Sequence, residues 1–378
     1  MYSLGGQDIV VADQYCYLGL ELRPRLDWRL VKDMALAKAR RVVDQIWSLG
    51  TRTARLPVDT LCRLYRTKVL PLLMYGAEVW GNQRWESAEA LQRLMARRIL
   101  QCPDRTSGAF LLSELGWLPL RAARDRARLL FWHKLEEMRR RQPRRIASRV
   151  LTAARLRAEE VEVPGTYWCA GTRAVLASLG LSAAWSSSTA VDKDHGLGTR
   201  AEWAHTVSVA IDAREQRAWL RDVDGSSSLA VYRSLKFRIQ DRASYLDSWL
   251  STGARKAIAR LRCAANDLRS SCYRWKDGSS GPVCPMCLAD REDEAHFLLD
   301  CPAYDRSRQE LVAVVERHFE FGATWMDLSR EQQLQHLLLS EWTVTETDRT
   351  DVENAVGKFV QTAMRRRRGA DSVPAAAA

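Results

Sequence analysis

The sequence predicts a mainly α protein: a helical bundle behind a small N-terminal β-hairpin, followed by an α-rich C-terminal domain with a metal knuckle. Three observations predict it. Apolar residues recur at helical spacing through most of residues 23–160; strand signals are confined to residues 1–22; and three thiols and an imidazole converge between Cys284 and Cys301.

Ile9, Val10 and Val11, then Tyr15, Cys16, Tyr17 and Leu18 after a polar break, read as strands, and Gly19 is free to bend a hairpin. Pro24 closes the extended segment. Asp27 suits the N-cap of a first helix in which Val31, Met34, Ala35, Val42, Ile46 and Leu49 recur up to Gly50. A second helix starts near Pro57 and Asp59, with a stripe of Leu61, Leu64, Tyr65, Val69, Leu72, Tyr75 and Val79 that Pro71 should kink. A third runs from about Glu86 to Leu100, and loops this short fold such helices back on one another. From Gly116 to Arg149 a strongly basic amphipathic helix surrounds Leu129, Leu130, Phe131 and Trp132 and breaks at Pro143.

Residues 161–198 lose periodicity, and AWSSSTAVDKDHGLG reads as a surface loop or linker. Ala201 to Trp219 is helical again, and helical pieces from Leu229 to Leu268 lead to the knuckle. Helices follow from Asp305 to Phe319, Arg330 to Trp342 and Val352 to Arg368, before a small-residue tail. The predicted organisation is therefore a hairpin at 1–22, a basic helical region at 23–160, a linker or irregular helical region at 161–228, a knuckle region at 229–320, and C-terminal helices with a basic tail at 321–378.

Within CPMCLADREDEAHFLLDC, Cys284 and Cys287 sit two residues apart across a turn stiffened by Pro285. His296 and Cys301 follow on a segment predicted to be helical from Ala295 to Leu299. This spacing fits one tetrahedral zinc with four protein ligands. With all four positions filled, no place is left for water or substrate, so the ion is structural and His296 is not catalytic. Cys263 and Cys272 are near enough in sequence to compete as ligands.

An apolar content of 46% excludes wholesale disorder, and the longest apolar stretch, Val69 to Trp80, is too short to cross a bilayer. The N-terminus lacks the pattern of a signal peptide. Nine cysteines, an odd number with one cluster, favour a reducing, intracellular setting, cytoplasmic or nuclear. Net charge is +12, and it is one-sided: residues 1–150 hold 28 Lys+Arg against 15 Asp+Glu, or +13, leaving −1 for the rest. The bias to arginine suits phosphate contacts, which makes RNA or DNA the expected partner. Arg40, Arg41, Arg121, Arg124, Arg128, Arg140 and Arg144 are the candidate contact residues, although any one of them fits a solvated charged face equally well. Met286, Leu288 and Arg291 in the knuckle either meet unpaired bases or pack its own small core.

The order YCYLGLELRPRLDW, a helix, then LCRLYRTKVLPLLMYGAEVWG resembles the region that follows the catalytic palm in reverse transcriptases of non-LTR retrotransposons. The resemblance implies a primer-grip-like hairpin at Tyr15 to Gly19 and the start of a thumb at Asp27-Trp28. Leu70-Pro71, Tyr75-Gly76 and Val79-Trp80-Gly81 would belong to the second thumb helix. SSLAVYRSLK, ARLRCAANDL and the CCHC segment resemble the C-terminal zinc-knuckle region of the same polyproteins. The implied partner is element RNA or a primer-template. No Asp-Asp pair occurs in the chain, and such a pair is needed to hold the two magnesium ions of a polymerase. Magnesium therefore belongs to an intact parent polymerase, whose fingers and palm would precede Met1. The expected function is that of a nucleic-acid-binding remnant without activity of its own. The alternatives are a partial RNA-directed DNA polymerase and a zinc-stabilised protein-interaction module.

Overall fold

The structure is a computed structural model that describes residues 2–4, 7–9, 12–23, 28–52, 56–81, 85–160, 167–187, 197–247, 250–275, 281–289, 291–319, 324–338 and 349–371. It is mainly helical with a small N-terminal antiparallel hairpin region, as predicted. The expected Asp27 cap, the end of the Arg330 helix at Trp342 and the small-residue tail lie outside the described residues.

Two short antiparallel hairpins form at the N-terminus. Tyr2–Leu4 pairs with Gln7–Ile9, and Tyr15–Tyr17 pairs with Leu20–Leu22 in the register Tyr15 to Leu22 and Tyr17 to Leu20. The second turns through Leu18 and Gly19, both at positive φ (50° and 79°), which gives a two-residue loop the twist its strands require.

The chain divides into two compact units that interleave in sequence. The first comprises 1–54, 62–92 and 119–214; the second comprises 55–61, 93–118 and 215–378. By composition the first carries a net +10 and the second +2, so the charge asymmetry survives the division.

In the first unit the Arg29–Arg52 helix buries Val31, Leu36, Ala39, Val43 and Ile46. It packs on the π-helical turn Tyr65–Val69 and the helix Leu70–Met74. That turn is the local answer to Pro71. Leu70 N–H bonds back five residues to the Tyr65 carbonyl, and the widened backbone takes up the proline; the helix then ends at Met74, where Tyr75 is extended and Gly76 left-handed (φ 69°), before the short helix Ala77–Trp80. The extra residue also shifts the phase of the stripe. Val69, Leu73, Ala77 and Trp80 are buried, whereas Tyr75 and Val79, expected on the apolar face, point outward. Tyr75 uses its exposure to donate its hydroxyl proton to the Leu18 carbonyl of the hairpin.

Glu86–Leu100 forms as predicted, with Glu86 and Glu89 in its first turn and Arg97 and Arg98 in its last, each sign at the end the helix dipole favours. The basic helix is Leu120–Arg141, and Pro143 separates it from a further helix, Ile146–Glu160. Pro119 at its N-cap has no side-chain acceptor to offer. Glu89 supplies one, taking the N–H groups of Leu120 (3.0 Å) and Arg121 (2.8 Å), while Gln92 also accepts from Leu120 (3.0 Å).

The stretch 161–228, read as a linker or irregular helical region with a helix at 201–219, carries the helices Trp168–Ser178, Ser182–Ser187 and Arg200–Asp224. Their aromatic residues join the core of the first unit. Trp132 stacks on Trp185 at 6.1 Å and meets Trp203 at 5.5 Å, and Trp203 donates its indole N–H to the Leu129 carbonyl.

The second unit is centred on a buried carboxylate. Glu114, at the end of the helix Gly108–Glu114, accepts the hydroxyls of Tyr232 (2.9 Å) and Tyr245 (2.6 Å) and the guanidinium of Arg262 (3.0 Å). All four side chains are buried, and Arg262 also donates to the Leu338 carbonyl. A buried charge without partners costs several kcal/mol, so this set of donors is what makes Glu114 tolerable. Gly116 allows the following chain to turn: its φ is +65°, and a Cβ there would lie 2.5 Å from the Gln240 carbonyl oxygen.

Candidate metal centre and the placement of the arginines

Four side chains in the second unit bring their donor atoms together. The sulfurs of Cys284, Cys287 and Cys301 and one imidazole nitrogen of His296 all lie within 4.8 Å of one another. Cys284 Sγ is 3.9 Å from Cys301 Sγ, and Cys287 Sγ is 3.3 Å from His296 Nε2. With metal bonds of about 2.3 Å to sulfur and about 2.0 Å to nitrogen, a tetrahedron has edges of roughly 3.8 Å and 3.5 Å, so the donors stand close to where a central ion needs them.

Local backbone geometry explains the convergence. Cys284 N–H bonds the Ala289 carbonyl and Leu288 N–H bonds the Cys284 carbonyl, with Leu288 at φ 61°, so residues 284–289 close a tight loop. Met286 and Cys287 N–H groups point at Cys284 Sγ, and Ala303 N–H points at Cys301 Sγ. His296 and Cys301 are separated by five positions, which an α-helix would place on different faces. The segment His296–Asp300 is a π-helical turn instead, closed by Cys301 N–H on the His296 carbonyl, and its wider repeat brings the fifth residue round beside the first. Asp293 caps this turn through His296 N–H at 2.9 Å.

Burial pushes the Cys284 and Cys301 thiols up, Cys301 to about 12, while the backbone N–H donors favour the thiolate. A cation among these sulfurs reverses the balance, because a coordinated thiol is deprotonated outright. The competing cysteines stand elsewhere: Cys263 is buried beside Cys102 and donates to the Arg260 carbonyl, and neither Cys263 nor Cys272 belongs to the cluster.

A shell of charged groups absent from the sequence motif holds this loop. Glu292, 0% exposed, forms a two-bonded ion pair with Arg367 of the Arg349–Asp371 helix, at 2.6 and 2.8 Å. Its second oxygen also takes Arg269 N–H at 2.8 Å. Arg308 donates to the carbonyls of Leu298 (2.7 Å) and of the cluster residue Cys301 (2.8 Å). Nothing in the spacing of the sequence marks these partners, which arrive from 7 to 75 positions away.

The candidate nucleic-acid residues fall into two groups. Arg40, Arg41, Arg121, Arg140 and Arg144 are exposed. Arg124 and Arg128 are not: they are 4% and 0% exposed, with Arg124 paired to Glu89 at 3.3 Å and Arg128 laid over the Trp168 ring at 5.6 Å. Burial lowers Arg128 to about 10, opposed by nearby Asp125. These two arginines support the core and offer nothing to an external phosphate. Arg155 behaves likewise, bonded to buried Glu136 and stacked 4.1 Å over Trp185.

The turn between the helices Leu120–Arg141 and Ile146–Glu160 is different. Arg140, Arg141, Arg144, Arg145 and Arg149 are all exposed there, beside Ile146 at 79% and Val150 at 61% exposure. Only Arg141 has a carboxylate partner among the described residues, Glu137 at 2.7 Å. No described helix is long and apolar enough to cross a membrane. Compared with protein-family models, curated proteins and solved structures, the chain matches none.

Proposed function

We propose that this chain is a zinc-stabilised, nucleic-acid-binding protein related to the thumb and zinc-knuckle part of a non-LTR retrotransposon reverse transcriptase, without polymerase activity of its own. The observation that carries the binding function is the exposed arginine corner at residues 140–149, in the more basic of the two units. Five guanidinium groups with one nearby carboxylate attract a polyanion, and their planar forks suit phosphate oxygens. Arg40, Arg41 and Arg121 add to the same charge. Ile146 and Val150, exposed between the arginines, offer apolar surface to unstacked bases.

Zinc suits the four donors by chemistry. Three thiolates and an imidazole form a soft, four-coordinate set, and the ion would fasten residues 284–301 without taking part in a reaction. The segments resembling the thumb and knuckle, which occur in the same order as in that family, support the relationship. The ligand is then an RNA or DNA strand, and a primer-template or element RNA is the form that the resemblance implies.

Replacing Arg140, Arg144 and Arg145 together by alanine tests the proposal in the zinc-loaded full chain with a labelled single-stranded oligonucleotide. Three lost contacts should weaken binding by roughly 50-fold at 0.15 M salt and flatten the salt slope by about 2. Unchanged affinity would remove the basis of the reading. A second reading, a zinc-stabilised protein-interaction module, is favoured by Leu288, which stands 77% exposed on the loop between the ligands.

A further inference from the structure

The four consecutive arginines near the C-terminus do not share one role. Arg367 is buried on Glu292, and Arg366 donates to the Ala303 carbonyl at 2.7 Å. Arg365 and Arg368, three residues apart on one helical face, line a cavity of about 360 Å³ in the second unit. Lys256 and Arg260, four residues apart on the packed helix Thr252–Arg262, line the same cavity.

Against these four cations the lining holds one carboxylate, Asp267, 3.8 Å from Arg260 and 4.0 Å from Arg368. Three positive charges are therefore left unmatched around an open space. Arg260 is held in place by two bonds to the Gln101 carbonyl, at 3.1 and 3.2 Å, and so stays aimed at the cavity. Burial lowers the Lys256 pKa, and the nearby Arg260 and Arg368 charges add to that, opposed by Asp267.

We propose that this cleft is a phosphate-binding site that takes the backbone of a nucleic-acid strand, giving the second unit a contact of its own. Excess charge selects a phosphate over a single carboxylate, and guanidinium forks bind phosphate oxygens in pairs. The cavity lies at the small end of ligand sites, room for about one nucleotide unit. Gln361 at its wall adds an amide for sugar or base. The polymeric form of the ligand rests on the nucleic-acid reading above; the phosphate site does not.

The test compares the zinc-loaded full chain with the Arg365→Ala/Arg368→Ala double variant, using a labelled 12-nucleotide oligo-U and, separately, inorganic pyrophosphate by calorimetry. Two lost contacts should weaken oligo-U binding on the order of tenfold at 0.15 M salt and reduce the salt slope by about 1.4. Zinc content and melting temperature should not change, and the Arg365→Lys/Arg368→Lys variant should retain most of the affinity. If the alanine variant binds oligo-U as wild type does while the Arg140/Arg144/Arg145 variant is weakened, the cleft proposal is overturned and the nucleic-acid function stands. If the wild type ignores oligo-U but binds pyrophosphate, and the double variant does not, the cleft holds a free phosphate and the nucleic-acid reading fails. Binding of neither probe overturns both.

Discussion

Replacing Arg367 by methionine should destabilise the second unit more than any exposed arginine change, because it strands a charge. Glu292 is 0% exposed, and Arg367 supplies two of its hydrogen bonds. Without the guanidinium the carboxylate keeps only the Arg269 N–H as a charge-stabilising donor among the described residues. Breaking one side of such a buried pair costs about 3–5 kcal/mol. The loss should reach the metal. Glu292 lies between Cys287 and His296, and its main chain is bonded to Pro282 and Ser270, so a displaced Glu292 pulls on both halves of the ligand loop. Partners at this remove typically change metal affinity by about 10-fold or more. Urea denaturation in excess zinc reads the first effect, and competition with a chromophoric chelator reads the second. Arg366→Met, which removes only an exposed bond to a carbonyl, is the control and should cost under about 1 kcal/mol. The double change Glu292→Leu/Arg367→Met should recover most of the stability, because no buried charge is then left without its counterion. If Arg367→Met lies within 1 kcal/mol of wild type, or if the double variant is no better than the single one, the reasoning about this pair is refuted.

Four further outcomes follow from the same geometry. Cys284→Ser should abolish stoichiometric zinc by metal analysis while Cys263→Ser retains it; the reverse pattern would move the site. Glu89→Ala should cost at least about 1–2 kcal/mol by thermal melting, because it removes both the cap on the Leu120–Arg141 helix and the carboxylate paired with Arg124, and no change would show that both are idle. Burial lowers His336 from 6.5 to about 4, so the folded chain favours the neutral ring and the unfolded chain takes up the proton first. Its contribution is present above pH 6.5 and is lost as the pH falls toward 4, roughly 3 kcal/mol in all, and His336→Phe should remove that part of the acid sensitivity in denaturation curves. The purified chain should not extend a primed template with magnesium and nucleotides, and extension that survives a mock purification would contradict the reading of its carboxylates.

The Cys/His cluster was legible because metal-type spacing is local: Cys284, Cys287, His296 and Cys301, which could together hold an ion, fall within eighteen positions. The Glu86–Leu100 helix and the break at Pro143 were legible for the same reason, since caps, periodicity and proline act over a few residues. Tyr75 and Val79 were assigned to the wrong face because a π-turn inserts a residue and the helix then breaks at Tyr75 and left-handed Gly76, neither of which a strict helical repeat anticipates. The burial of Arg124, Arg128 and Arg155 was not legible at all. An arginine on a basic helix looks solvated until its carboxylate or tryptophan arrives from a distant helix, as Glu89, Trp168 and Trp185 do. The two units escaped the division into consecutive regions because each is assembled from three separated stretches.

Salt dependence of binding tests the central claim most directly. With five or six phosphate contacts, the zinc-loaded full chain should bind a single-stranded oligonucleotide with a slope of log affinity against log salt of roughly −4. An affinity that stays flat across a fourfold change in salt would contradict an electrostatic nucleic-acid grip and leave the interaction-module reading in its place.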